Sequence, residues 1–317
     1  VTDADPGFET TSVVLNANPN APLMLRAGRS GRQFVDRYSG DLLSDSAAGT
    51  REFFSLMMRW HRWFDVDGDN RKVARAITGA SNLAFLFLLF TGAYLWLPPV
   101  FNRVALRSRY LFNSRIPNSK ARDYNWHHVL GVWSVLPLIV VVATALVFSY
   151  GWANTLLYRA VGDTPPTRTA ADQNTTSSDE PIEHRPVDEY FAAAAAAAPE
   201  WRSLTLTLPA STDPTVRISA DYSIGGQPQN RATIVLDARS TDVTRVEPFG
   251  AQPAGRQARS LVRFLHTGEA LGVFGQTVAG LVSATTIVMV WTGLALAWRR
   301  LISPILRRRR VPVIESA

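Results

Sequence analysis

The chain has 317 residues, a formal net charge of +7 and no cysteine. That length accommodates several structural units, and the missing cysteines exclude disulfides and the covalent C-x-x-C-H attachment of c-type haem. A mean hydropathy of zero hides apolar blocks alternating with polar ones, and the basic excess lies beside the apolar blocks, so no nucleic-acid partner is expected.

In chain order, residues 1–55 contain short alternating stretches at 12–15, 22–26 and 33–37, separated by Asn, Pro and Gly. That pattern predicts a small antiparallel sheet. The segment starts in mid-domain with Val1, so it is expected to be part of a first small α+β domain, with an N-terminal piece preceding it. Residues 56–97 form an approach and a first spanning helix, with His61 ahead of the apolar run 76–97. Residues 98–125 are a basic loop, with Arg103, Arg107, Arg109, Arg115, Lys120 and Arg122 against Asp123. Residues 126–152 open on His127 and His128 and continue into the apolar run 129–150.

Residues 153–186 are a polar linker in which His184 is expected as a solvated loop residue. Residues 187–255 repeat the sheet pattern at 204–208, 215–220 and 232–237, after an alanine-rich helix over 187–198 that ends at Pro199. Val35-Asp36-Arg37-Tyr38-Ser39-Gly40-Asp41-Leu42 parallels Leu236-Asp237-Ala238-Arg239-Ser240-Thr241-Asp242-Val243. Aspartate and serine at such a turn both bond to backbone, so the likeness reflects shared turn chemistry or a duplicated domain. Residues 256–300 carry His266 ahead of the apolar run 272–298, and residues 301–317 are a basic tail.

Each apolar run has about 20 residues or more, enough to cross a hydrocarbon layer of roughly 30 Å. The fold class expected is an α-helical membrane bundle with three spanning helices here and four in a full-length chain, carrying small α+β domains. Lys and Arg next to spanning helices are retained in the cytoplasm, which puts the 98–125 loop and the tail inside. The 151–253 block has thirteen acids against eight arginines and belongs on the periplasmic side of an inner membrane.

Histidines at the ends of spanning helices are the residue type that holds haem iron in a membrane bundle. With the loop inside, His61 and His266 fall at the outer surface, as axial ligands of one haem. His127 and His128 fall at the inner surface, where a second ligand would come from the absent first helix. Of the two, His127 is preferred because Gly131 follows it by one helical turn. His128 would bond a propionate or face the interface. Gly131 either leaves room for a flat macrocycle or lets helices approach closely. Thr91-Gly92 and Thr292-Gly293 recur at matching places, with Thr144-Ala145 in the middle segment. Trp60, Arg62, Trp63 and Arg263 are candidates for an outer docking surface, or ordinary interfacial anchors.

Trp126-His127-His128-Val129-Leu130-Gly131-Val132-Trp133, Leu265-His266-Thr267-Gly268-Glu269-Ala270-Leu271-Gly272, the Thr-Gly endings with Trp96, and Trp298-Arg299-Arg300 together resemble the PepSY-associated transmembrane proteins. The two α+β repeats are similar to PepSY domains. The resemblance extends from about Thr11 to Arg300 and implies an inner-membrane protein with two haem b groups. It further implies a ferric-siderophore reductase involved in iron uptake, with His61, His266 and His127 as iron ligands. Thr144-Ala145 departs from the family's Thr-Gly. The electron donor, a cytoplasmic reductant or a quinol, is left open. The alternative is a non-catalytic periplasmic binding or regulatory module anchored by a helical scaffold. A transporter is disfavoured, because the apolar runs contain no Asp, Glu, Lys or Arg that could relay ions.

Overall fold

The computed structural model describes residues 7–28, 31–97, 102–113, 115–166 and 181–308. It divides into two compact units, one made of residues 1–75 and 150–264, the other of residues 76–149 and 265–317.

The first unit is built on an eight-stranded antiparallel sheet. Its strands are β1 (Ser12–Asn16), β2 (Leu23–Ala27), β3 (Gly31–Val35), β4 (Leu42–Leu43), β5 (Ser203–Thr207), β6 (Thr215–Asp221), β7 (Arg231–Asp237) and β8 (Val243–Pro248), ordered β4-β3-β2-β1-β5-β6-β7-β8. Each half is a four-stranded meander, and β1 pairs antiparallel with β5 in the register Val13↔Leu206, Val14↔Thr205, Leu15↔Leu204. The strands of the two predicted sheet segments are therefore hydrogen-bonded into one sheet. Alternation in β5 and β6 turns Leu204, Leu206, Val216, Ile218 and Ala220 to one face, all essentially inaccessible.

That face is covered by α6 (Val187–Ala197), the alanine-rich helix, through Tyr190, Phe191 and Ala194. Alanine lets the helix approach the sheet closely, while Tyr190 supplies bulk and donates its hydroxyl to the carbonyl of Ala238. The same core takes in Val13, Leu25 and Val35 from the first half. Helices not read from the sequence include α1 (Ala48–Trp63), α3 (Arg103–Tyr110) and α5 (Gly151–Ala160). The expected polar linker thus begins as helix. His184, expected to be a solvated loop residue, is half-buried with Nε2 3.2 Å from the carbonyl oxygen of Asp213. Its neighbour Ile182 anchors the segment in the core.

The second unit is helical. Three helices among the described residues are long and apolar enough to cross a membrane, over Asn70–Trp96, Ser119–Ser149 and Glu269–Leu306. They are α2 (Asn70–Trp96), α4 (Ser119–Ser149) and α8 (Gly272–Ala297); α8 continues through a π-helical turn at Trp298–Ile302 into α9 (Ser303–Arg308). The apolar residues on the outside of α2 and α8, among them Phe87, Leu88, Leu281, Ile287 and Trp291, suit a lipid solvent.

α4 and α8 pack closely along their length, with Leu138, Val142 and Val282 buried in the seam and Leu89 of α2 beside them. Asn82 of α2 donates to the carbonyl of Val142 at 3.1 Å, which satisfies its amide within the bundle. Between α7 (Ala254–His266) and α8 the chain turns through a short 3₁₀ segment, Glu269–Leu271. Gly268 there has φ 78° and lies so close to the backbone of Gly275 that neither position has space for a Cβ. This tight corner sets His266 beside the start of α8.

Candidate functional site

Two histidines of the helical unit share one environment. His127 lies in the third turn of α4, and its Nδ1 is 3.0 Å from Thr292 Oγ1 near the end of α8. His266 precedes α8, and its Nδ1 is 3.2 Å from Thr144 Oγ1 near the end of α4. Each helix thus presents a histidine at one end and, at the other end, the threonine that meets its partner's histidine. The two contacts require α4 and α8 to run antiparallel.

Hydrogen-bond partners favour one ring tautomer at both histidines. Thr292 gives its hydroxyl proton to the carbonyl of Val288 at 2.9 Å, so toward His127 it offers a lone pair and Nδ1 carries the hydrogen. Thr144 likewise donates to the carbonyl of Val140 at 2.7 Å. His266 Nδ1 also lies 2.9 Å from the carbonyl oxygen of Val141, and a carbonyl can only accept, so this Nδ1 carries hydrogen too. In a neutral imidazole with hydrogen on Nδ1, the ligating lone pair is on Nε2. That is the arrangement in which outer hydrogen bonds orient a metal-ligating histidine, so the residues present fit haem iron.

The surroundings differ between the two ends. Gly293 lies under the His127 ring: a Cβ there would stand 3.2 Å from its Cε1. Gly131 faces the tip of Met289 on α8, at 3.5 Å from where its Cβ would be. Ser134 bonds the same Met289 sulfur at 3.4 Å, so the seam beside His127 is lined by small residues and one pliable thioether. His128 turns to its own helix and stacks on Tyr124, with centroids 4.1 Å apart; His127 is the one that reaches across to α8. One turn before His127, Asp123 is 2% exposed and held from both sides. Arg122 reaches it at 3.0 Å and Arg299, from the π-helical turn, at 2.7 Å. At the other end the edge of Phe148 meets the His266 ring, with centroids 5.6 Å apart.

His61 is in the sheet-bearing unit, exposed on α1 three residues before the left-handed cap at Phe64. Nearby, Trp60 is exposed against Phe64, and Trp63 packs under the guanidinium of Arg71 at 3.9 Å. Arg62 lies over the Trp63 ring, and Arg263 and Arg231 both lie over Phe264. Cationic groups and indoles of that kind are suited to anionic or aromatic ligands and equally to an interface.

Sequence reading passed over Thr144, Thr292, Asp123 and Arg299 as members of the site. The Thr-Gly step was noted as a repeat. Its distance from each histidine along the chain concealed that antiparallel packing returns it to the opposite one.

A family model described as the PepSY-associated TM region matches residues 2–300. Comparison with curated proteins finds no match.

Proposed function

Because the chain belongs to the PepSY-associated transmembrane family, we propose that it is a haem-b reductase of the bacterial inner membrane that moves electrons outward, reduces a ferric siderophore and releases Fe(II). The observation that carries this reading is the crossed pair of histidines, each with Nδ1 at hydrogen-bond distance from a threonine across the α4–α8 seam, the outer contact that orients a metal-ligating imidazole.

His127 would hold the inner group. His266 would hold the outer one, with His61 as the partner expected from the sequence. Bound haem supplies one-electron exchange at its iron. Two positions are needed because Thr144, the contact of His266, stands about 25 Å along α4 from His127 at 1.5 Å per residue. The seam between them is closed by Leu138, Val142 and Val282, which keeps water out of the interval.

The substrate needs no acid or base from the protein. Hard oxygen ligands favour Fe(III) over Fe(II), so a single electron weakens the chelate and lets the metal exchange. Trp60, Arg62, Trp63 and Arg263 would form the docking surface for the chelate on the periplasmic side. The basic segments 98–125 and 301–317 would stay in the cytoplasm, where a soluble reductant or a quinol delivers the electron.

The test is an oxidised and dithionite-reduced spectrum of the detergent-purified full chain, with haem counted per polypeptide. Low-spin bis-histidine spectra are expected, with one centre lost in His127→Ala and the other in both His61→Ala and His266→Ala. A colourless parent protein would overturn the reading in favour of a binding or regulatory module. A parent-like spectrum in all three variants would overturn the ligand assignment.

A further inference from the structure

The crossed contacts put two hydroxyls where the proposed chemistry has no direct use for them. Neither threonine can serve as an iron ligand while its oxygen is bonded to Nδ1, and neither is placed to meet a substrate. We propose that Thr292 and Thr144 are positioning residues that set the tautomer, orientation and donor strength of His127 and His266. This rests on the haem-reductase reading and adds what determines the redox behaviour of its two centres.

In a helix within a low-dielectric seam, a threonine hydroxyl bonds back to the carbonyl one turn earlier, as Thr292 does to Val288 and Thr144 to Val140. With its proton so committed, the oxygen can only accept from an imidazole. An acceptor at Nδ1–H draws that proton and leaves more electron density on Nε2, so the ring becomes a better donor to Fe(III). Removing the acceptor should therefore raise the midpoint potential of the centre concerned.

Because each threonine is on the helix opposite its histidine, sliding or rotating α4 against α8 would disturb both centres together. The two ends match: His127 is hydrogen-bonded to the Met289 backbone in addition to Thr292, and His266 to the Val141 carbonyl in addition to Thr144. Loss of either threonine removes a side-chain acceptor and leaves a backbone one in place.

The experiment is a spectroelectrochemical titration with electron paramagnetic resonance of the full chain in detergent, comparing Thr292→Val, Thr144→Val and the corresponding serine variants. Valine keeps the branched shape that packs in the seam, and serine keeps the hydroxyl. Thr292→Val is expected to raise one midpoint potential by about a tenfold change in the one-electron equilibrium constant, equal to about 59 mV, with altered g-values for that centre. Thr144→Val should move the other centre by a similar amount, and both serine variants should restore the parent values.

Valine variants with parent potentials and g-values would overturn the proposal, as would serine variants that shift as far as valine ones. If Thr292→Val does not accumulate, Thr292→Ala gives the same comparison against serine. Haem counted in the unsubstituted protein separates the two failures. A colourless parent removes the reductase reading and this proposal with it, whereas a red parent with unmoved variants removes this proposal alone.

Discussion

Asp36 and Asp237 close the same turn in the two halves of the sheet. Asp36 Oδ1 accepts the backbone N–H groups of Tyr38 at 2.8 Å and Ser39 at 3.0 Å. Asp237 Oδ1 accepts those of Arg239 at 2.8 Å and Ser240 at 2.9 Å. The fifth positions also agree, with Gly40 at φ 81° and Thr241 at φ 63°, although a β-branched residue is disfavoured there. This repeat was legible in the sequence because turn chemistry is local: donor, acceptor and bend are contained in six residues. The amide donors, led by Ser39 and Ser240 respectively, hold both carboxyls below the usual aspartate range. A depressed carboxyl stabilises the fold above its unfolded value of about 3.9 and loses that contribution as pH falls through the lower folded value. Asp237→Asn keeps the Oδ1 acceptor and removes the titration. Protection of the Arg239 and Ser240 amides against hydrogen exchange, corrected for intrinsic rates, should fall below about pH 4 in the parent and stay level in the variant. Equal pH profiles would show that Asp237 does not govern the turn.

At the scale of elements, the spanning helices were legible because lipid demands near-uniform apolarity over a fixed length, which any window of the sequence reveals. Helix partners were not. A contact such as His127 with Thr292 joins residues 165 positions apart, and a helix apolar on every side gives no face for periodicity to identify. The single sheet was hidden for the same reason, since β1 and β5 meet across the long insertion that contains α2 and α4. Asp123 illustrates the cost of reading charge by counting. In the sequence it is the one acid of a basic loop, whereas in the structure it fastens α4 to the end of α8 through Arg299. Removing one partner of a fully buried ion pair costs about 3–5 kcal/mol. Here the arginines are 50% and 34% exposed, so water would recover part of that. Asp123→Ala should lower stability in detergent by about 1–3 kcal/mol after that discount, read as a lower midpoint of thermal unfolding. An unchanged midpoint would mean that the seam is held by its apolar contacts and that the ion pair only adds register.

At the scale of the whole molecule, connectivity constrains the topology more than any single contact. α2 leads away from the first stretch of the sheet-bearing unit and α4 leads back to the second, with the basic α3 between them. An odd number of spans then separates the sheet from both α3 and α9. The proposed direction of electron flow depends on which side each occupies, because that reading needs the chelate outside and the reductant inside. The sequence has no cysteine, so single cysteines can report sidedness without background. Tyr38 and Val104 are 76% and 79% exposed, and neither is one of the proposed haem ligands. In spheroplasts, Tyr38→Cys should react with a membrane-impermeant maleimide, while Val104→Cys should react only after lysis. The charge distribution predicts this result, since α3 carries Arg103, Arg107 and Arg109 without an acid. The reverse pattern would place the sheet in the cytoplasm, where it could not receive an external chelate, and would reverse the assignment of His127 and His266 to inner and outer surfaces.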